Sequence, residues 1–524
     1  MVRSNRAPSL ASSSTLLLTL TIFLFAGLTA AFAQVNSNVV TKLSFNQHDL
    51  PLGTASYGNG GSSSIVTGDF NNDGILDVVT IGGIPSGNVA SFFKGLGGGN
   101  FSTTPVNSPI KVSNETGIGG PAYGADLNGD GKLDLVIASG VVCCGQSGPV
   151  TILLGNGDGT FTMGQSITVN TATGSGQAAA IALADFNGDH IADIAVSDGV
   201  DGYTWIYLGN GNGTFKLADA QKFGGNSLVA GDFNADGKQD VAYASGSSSG
   251  GDTVGMFLGN GNGTLNNPLV VAGNYNSGLA VGDFYNDRIQ SLALLYTTGP
   301  QDGNDTTYVE TLRYSSRQLV VGPSTQVTQP VAEGPVNIYG GDLNGDFIDD
   351  VFISGGGYYG GPYSEYMIGN GNGSFQAPQN APYDKQGTTF SYPLIRDLNL
   401  DSRHDVSMAW LNVEDSNGGG DVLINGNAAP NCAPPPANAL GVNICEPKSG
   451  ATISKTYTFK GAGNAFSGFA KRMELWIDGK KIGQNLEDQL NVTTTLEPGT
   501  HTASFVVVDS FDAYTSKSVT FTTE

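Results

Sequence analysis

Positive charge is scarce in this chain, and so is charge altogether. Lys and Arg number 23 against 46 Asp and Glu, and charged residues make up 13% of the sequence, about half the usual share. A net charge of −23 repels nucleic acid and anionic lipid, which excludes both as partners. Histidine is limited to His48, His190, His404 and His501, at unrelated positions, so no histidine-based triad or zinc cluster is indicated. Cysteine is limited to two local pairs. Cys432 and Cys445 bracket a Pro-rich stretch and are expected to pair in an exported protein; adjacent Cys143 and Cys144 allow a vicinal disulfide or two free thiols. Helical periodicity is missing after residue 33. One long apolar run exists, Leu16 to Leu28, behind Arg3 and Arg6 and ahead of Ala31-Phe32-Ala33. These features predict a secretory signal peptide over 1–33, cut after Ala33, with an uncleaved anchor as the alternative; the run is short for a membrane span. The mature chain is expected to be secreted or at the cell surface, with no membrane span.

What the chain has in quantity is glycine, 77 residues, together with a repeated acidic nonapeptide. Asp-x-Asn-x-Asp motifs begin at Asp69, Asp126, Asp185, Asp232, Asp283, Asp342 and Asp397, the fifth with Tyr285 in place of Asn. A short apolar run follows each, such as Val78 to Ile81 or Leu135 to Ala138, and a variable polar loop comes next. A second run then ends in a Gly-Asn-rich turn, as at Gly155-Asn156-Gly157-Asp158-Gly159; such turns close hairpins because both residue types tolerate positive φ. A further extended segment precedes the next motif. Four antiparallel strands per unit at a period of about 50 residues predict an all-β, seven-bladed β-propeller, with an open solenoid as the alternative. The seventh unit ends at Leu423 to Gly426 without a fourth strand, and Lys42 to Phe45 has no unit of its own. The N-terminal strand is therefore expected to complete the last blade and remove the open edges.

The Gly-Asp-Phe-Asn-x-Asp-Gly core, present at Gly68 to Gly74 and Gly231 to Gly237, resembles the FG-GAP and VCBS repeat families, extracellular propellers that include the head of the integrin α chain. The resemblance covers roughly residues 40 to 427 and assigns 34–427 to the propeller. Residues 428–440 read as a Pro-rich linker. Beyond it, Glu474 to Lys480 and Leu496 to His501, with alternating Ala503, Phe505 and Val507, read as short strands and turns of a β-sandwich. The segment 441–524 is similar to a bacterial immunoglobulin-like domain.

An Asp-x-Asn-x-Asp loop offers side-chain oxygens at positions one, three and five, the position-seven carbonyl and an acid at position nine, which suits calcium, a hard cation taking six to eight oxygens. The ordinary alternative is a series of Asx-turns. Six loops qualify: Asp69, Asn71, Asp73, Ile75 and Asp77; Asp126, Asn128, Asp130, Lys132 and Asp134; Asp185, Asn187, Asp189, Ile191 and Asp193; Asp232, Asn234, Asp236, Lys238 and Asp240; Asp342, Asn344, Asp346, Ile348 and Asp350; Asp397, Asn399, Asp401, Arg403 and Asp405. Position nine leads straight into a strand, so these are not EF-hands, and the lack of Cys or His ligands excludes zinc. Position six, where positive φ is expected, is Gly in three copies but His190, Phe347 or Ser402 in the others. The loop at Asp283 is broken by Tyr285, Arg288 and Ser291, with Arg288 placed to pair with Asp283 or Asp287 in the cation's stead.

Gly246 to Gly250 matches Gly-x-Ser-x-Gly, but no helix follows to form a nucleophile elbow. The Gly-Asn turns lack the helix N-terminus that a phosphate loop needs. The calcium loops and Gly-Asn turns are expected on one face, as structural parts. The opposite face carries the variable loops Val141 to Ser147, Pro300 to Thr307 and Gly355 to Tyr363, the last with tyrosines suited to a sugar or protein surface or to plain turn packing. The sequence thus predicts a calcium-binding, non-catalytic binding or adhesion protein for an extracellular carbohydrate or protein ligand. The alternatives are a polysaccharide-acting enzyme, with acids such as Asp302 or Glu365, and a purely structural spacer.

Overall fold

The computed structural model describes residues 43–51, 64–84, 87–110, 120–138, 148–169, 178–198, 202–245, 253–273, 275–298, 306–328, 336–357, 361–381, 388–401, 403–412, 417–426, 432–467, 470–486 and 488–524. The signal peptide, Cys143 and Cys144, the 246–250 motif, Asp302, Tyr358, Tyr359, Ser402 and residues 428–431 lie outside the described residues. No helix occurs among the described residues, and none long and apolar enough to cross a membrane.

Seven four-stranded antiparallel sheets are present among the described residues, one for each acidic loop. In the second, the strands Ala122–Ala125, Asp134–Ala138, Val150–Gly155 and Phe161–Ile167 follow one another in order, and the acidic loop joins the first two. The seventh draws Thr388–Arg396, Asp405–Asn412 and Asn417–Asn425 from the end of the array and Phe45–Pro51 from its start. Phe45 pairs with Asn425 and Pro51 with Gly419, so the N-terminal strand completes the last sheet, a few residues later in the chain than the sequence suggested.

Apolar cores fill the spaces between consecutive sheets. Position two of every loop is Phe or Leu (Phe70, Leu127, Phe186, Phe233, Phe284, Leu343, Leu398), and all are buried there. One core joins the seventh sheet to the first through Leu50, Ile65, Phe93 and Ile424, which closes the array and excludes the open solenoid. Fully burying one such side chain contributes about 1.5–3 kcal/mol.

The Gly-Asn turns latch neighbouring sheets together. Gly159 N donates to Phe70 O at 3.1 Å, Gly213 N to Leu127 O at 3.0 Å, Gly263 N to Phe186 O at 2.9 Å, and Gly373 N to Phe284 O at 2.9 Å. Each turn therefore reaches the position-two carbonyl of the preceding loop. Gly159 has φ +81° and a Cβ there would sit 2.4 Å from the Phe92 ring, so glycine is required both for conformation and for close approach.

Residues 441–524 form two further sheets, of three and five strands, facing each other across Phe459, Met473, Leu475, Leu490, Phe505 and Phe521. This is the expected β-sandwich, and Cys432 is joined to Cys445. The sandwich sits on the loop face of the array. Phe511 enters the core between the second and third sheets, and Phe466 packs against the core between the first and second. Asp126 N donates to Ser467 Oγ at 2.9 Å, Ala437 N to Gly74 O at 3.3 Å, and Arg396 Nη2 to Ala465 O at 3.3 Å. The Pro-rich segment from residue 432 thus packs against the first loop.

One constraint recurs at or just beyond the ends of the third strands. A Cβ on Gly95, Gly155, Gly209, Gly259 or Gly369 would fall 2.0–2.4 Å from the carbonyl oxygen of loop position eight. Gly259→Ala is expected to cost about 1–3 kcal/mol, read as a lower urea midpoint at unchanged slope; full retention of the midpoint would show that the strand moves freely off Gln239.

Candidate functional site

The six sequence-predicted loops share one hydrogen-bond scheme. In the first, Asp69 accepts from Asp73 N at 3.0 Å and Gly74 N at 2.7 Å. Asn71 Oδ1 accepts from Asp73 N, and Asp73 Oδ1 from Ile75 N, each at 3.0 Å. Asp77 accepts from Phe70 N at 3.0 Å with one oxygen and from Gly95 N at 2.7 Å with the other. The last pair is the key element: position nine ties the loop's start to the sheet's third strand. The same two bonds recur at Asp134, Asp193, Asp240 and Asp350, and at Asp405, where Asn425 N takes the glycine's place.

Position six has positive φ at Gly74, Gly131, His190, Gly237, Arg288 and Phe347, as expected. Position four does too, at Asn72, Gly129, Gly188, Ala235, Asn286, Gly345 and Leu400. The sequence does not announce this second left-handed residue, because Ala235 and Leu400 are poor choices for it.

Burial decides the electrostatics. The position-nine aspartates are fully buried in all six loops. Desolvation, with the charges of Asp69 and Asp73, pushes Asp77 up to about 7. Burial and neighbouring carboxylates likewise raise Asp193 and Asp240 to about 7 and Asp134 to about 6. Asp350 and Asp405 are raised for the same reasons. Protein cations beside the loops are few: Lys94 lies 3.0 Å from Asp73 and Lys132 3.2 Å from Asp130, both exposed, and Lys471, Arg403 and His404 act on Asp232, Asp401 and Asp342.

Among the described residues, no three His, Cys, Asp or Glu side chains converge as a metal cluster. The loops direct their oxygens at backbone N–H groups, and Asn187, Asn344 and Asn399 turn their amides onto Asp189, Asp346 and Asp401 at 2.9–3.1 Å. The donor chemistry nevertheless fits a hard divalent cation. Every side-chain donor is oxygen, a carboxylate retains lone pairs beyond two N–H bonds, and the crowded carboxylates lack enough local positive charge. Arg403 differs from the other position-seven residues in donating its guanidinium to Asn344 O in the neighbouring loop.

The fifth loop does not fit. Asp283 keeps its bonds from Asp287 N and Arg288 N, but Ser291 Oγ at position nine donates to Gly282 O at 2.9 Å. The Arg288 guanidinium lies beside Gly483 of the sandwich, not on Asp283 or Asp287. Arg313, from the third strand, faces Asp287 instead, at 4.0 Å. Sequence reasoning missed it because cross-strand register, not motif spacing, brings it there.

Position eight was also missed. It is apolar in the first three loops and becomes Gln239, Gln290, Asp349 and His404 in the rest. Gln290 Oε1 accepts from Asp232 N at 2.8 Å, and Asp349 from Asp283 N at 2.5 Å. Burial alone would lower His404, but Asp488 at 3.7 Å, Asp342 and Asp397 hold it up at about 9. His190 and His501 have separate partners: His190 Nδ1 is 3.2 Å from Phe511 O, and His501 Nδ1 2.7 Å from Asp478. Glu365, considered as a loop acid, is instead a buried strand residue accepting from Thr328 N at 3.2 Å.

Residues 69–137, 126–196 and 191–243 match the FG-GAP-like repeat. The structure is similar to rhamnogalacturonan lyase YesW at 14% identity, covering 71% of this chain and 75% of that one with a TM-score of 0.38. It is similar also to NanB sialidase from Streptococcus pneumoniae, at 11% identity over 71% and 70% of the chains, with a TM-score of 0.35. A third is β-fructofuranosidase from Schwanniomyces occidentalis, at 11% identity over 93% and 94%, with a TM-score of 0.30. No curated protein matches the chain.

The raised aspartates set a pH dependence for the cation-free protein. Their folded pKa values, about 6 to 7, exceed the value of 3.8 taken for the exposed side chain. The folded state therefore holds more protons than the unfolded one, and stability falls as pH rises through that window. Chelator-treated protein is expected to melt at higher temperature at pH 5 than at pH 8; the reverse order would show that these carboxylates are stabilised in their charged form.

Proposed function

We propose that this chain is an exported, calcium-stabilised propeller that binds a carbohydrate or protein ligand outside the cell without transforming it. The observation supporting this is the recurrence of one buried, carboxylate-crowded loop in six of the seven sheets. Asp69, Asn71, Asp73 and Asp77, with the Ile75 carbonyl, and their counterparts in the five other loops would hold the ion. Bound calcium would supply the positive charge that the position-nine aspartates lack and so keep them ionised at neutral pH. The loops are then framework. They fix position two in the inter-sheet core and lie under the C-terminal sandwich, which leaves the opposite face as the surface for ligand. A rigid scaffold presenting variable loops is the arrangement that suits recognition. The alkaline-side instability of the cation-free loops favours an environment where calcium is plentiful, in keeping with the signal peptide expected over 1–33.

Calcium is expected to raise the melting temperature and chelator to lower it, since each site held at about 100 times its Kd contributes about 2.7 kcal/mol. An unchanged melt would remove calcium from the proposal. Glycan and matrix-protein arrays probed in calcium and in chelator test the rest. Calcium-dependent capture of one ligand class is expected; loss of an offered polysaccharide with release of shorter products would replace binding by catalysis.

A further inference from the structure

The fifth sheet departs from the others at two positions that line one cavity. Position nine is Ser291 instead of Asp. The strand register that pairs Val78 with Phe93 in the first sheet pairs Leu292 with Leu312 in the fifth, so Arg313 occupies the place of Lys94 and Tyr314 the place of Gly95. That position is glycine in five of the other sheets, where the position-eight carbonyl lies 2.0–2.4 Å from where a Cβ would be, and Asn425 in the seventh. In the fifth sheet it is a tyrosine, and a cavity of about 200 Å³ lies between the loop and the third strand.

The walls of this cavity are chemically mixed. Arg313 lies over the Tyr285 ring, 4.6 Å from its centroid. Tyr285 is itself fixed, because its hydroxyl shares a 2.9 Å hydrogen bond with Thr311 Oγ1, which donates to Gly373 O. Asp287 Oδ1 accepts from Ile289 N at 3.1 Å, while Oδ2 faces Arg313 Nη1 at 4.0 Å. That separation is an ion pair too long for a direct hydrogen bond, with room for a bridging hydroxyl. Gln290 uses its oxygen on Asp232 N, which leaves its NH2 group as a donor. Tyr314 supplies apolar wall.

We propose that this cavity binds the ring of a neutral sugar. The charges of Arg313 and Asp287 cancel, so neither an anion nor a cation is favoured. Donors from Arg313 and Gln290 stand against an acceptor on Asp287, the pattern that a vicinal diol satisfies by donating with one hydroxyl and accepting with the other. The volume is below the roughly 300–1,000 Å³ of drug-sized sites, which suits one ring and not a longer chain. A metal ion is not part of this site, since the loop lacks the Asn and the closing Asp. The assignment rests on the binding function proposed above and gives its ligand a chemical class.

Saturation-transfer NMR with the full chain in calcium tests it, using methyl glucoside, methyl galactoside and methyl mannoside, with glucuronate and glucosamine as charged comparators. Transfer to at least one neutral glycoside is expected, with affinity reduced about tenfold or more in Arg313→Ala, the cost of a charge-assisted hydrogen bond. Arg313 is exposed on the surface, and an unchanged calcium-dependent melt identifies the variant as folded. Arg313→Lys, which keeps the charge and loses the planar fork, is expected to recover only part of the affinity. Absence of transfer to every neutral glycoside, preference for a charged comparator, or equal binding by folded Arg313→Ala would each overturn the assignment. If that happens while the arrays still report a ligand, the wider binding function stands and this cavity is not its site. Blank arrays with Arg313-dependent glycoside binding would leave the cavity standing and the array-based reading fallen.

Discussion

The pair of backbone hydrogen bonds accepted by each position-nine aspartate organises everything around it. One N–H belongs to position two and the other to the end of the third strand or the residues just after it, so a single carboxylate joins the loop's entrance to the neighbouring strand's exit. Because position two is Phe or Leu, fixing its backbone also aims a large apolar side chain into the space between sheets. In the first three loops the carbonyl of the same residue then receives the next sheet's Gly-Asn turn. Local geometry and inter-sheet packing thus meet at one buried side chain, and its burial is what makes its charge expensive.

The fifth sheet shows what happens when that carboxylate is removed. Ser291 bonds the Gly282 carbonyl, the glycine partner becomes Tyr314, and the hairpin shortens to a turn at Ser316 and Arg317, both with positive φ. The latch to the preceding loop is replaced by Gln290 reaching Asp232 N. The contact between the fourth and fifth sheets survives through Phe233, Leu279, Leu292 and Leu312. Apolar packing therefore holds the array together where the polar scheme lapses.

Much of this architecture is legible from the chain alone, for physical reasons. Strand period, Asn-Gly turns and a motif repeated in register are local signals, and they give the four-stranded units, the loops and the completing role of the N-terminal strand. The left-handed conformation at position six follows from Gly74, Gly131 and Gly237. Position four escapes because Ala235 and Leu400 adopt it against their preference, held by the surrounding bonds. Arg313 and the position-eight residues escape for another reason: their partners lie across a strand pair or in the next sheet, which spacing within one motif does not encode. The seating of the sandwich is equally silent in the sequence, since Phe511 reads as an ordinary strand-end residue and is nonetheless part of a core between two sheets of the array.

The pairing of Phe45–Pro51 with Asn417–Asn425 has a kinetic consequence. At equilibrium, joining such distant segments costs little more than joining near ones, because each doubling of loop length adds only about 0.6 kcal/mol. In time the cost is larger, since contacts between chain ends form late and slowly. Until residue 425 is available, the N-terminal strand lacks its partner and the apolar faces that share Leu50, Ile65, Phe93 and Ile424 stay open, surfaces of the sort that seed aggregation. The six earlier sheets can grow stepwise from neighbour to neighbour, but the final clasp is all-or-none. A chain truncated within its last repeat would thus forfeit more than one sheet: it would be left as an open strip with two adhesive ends.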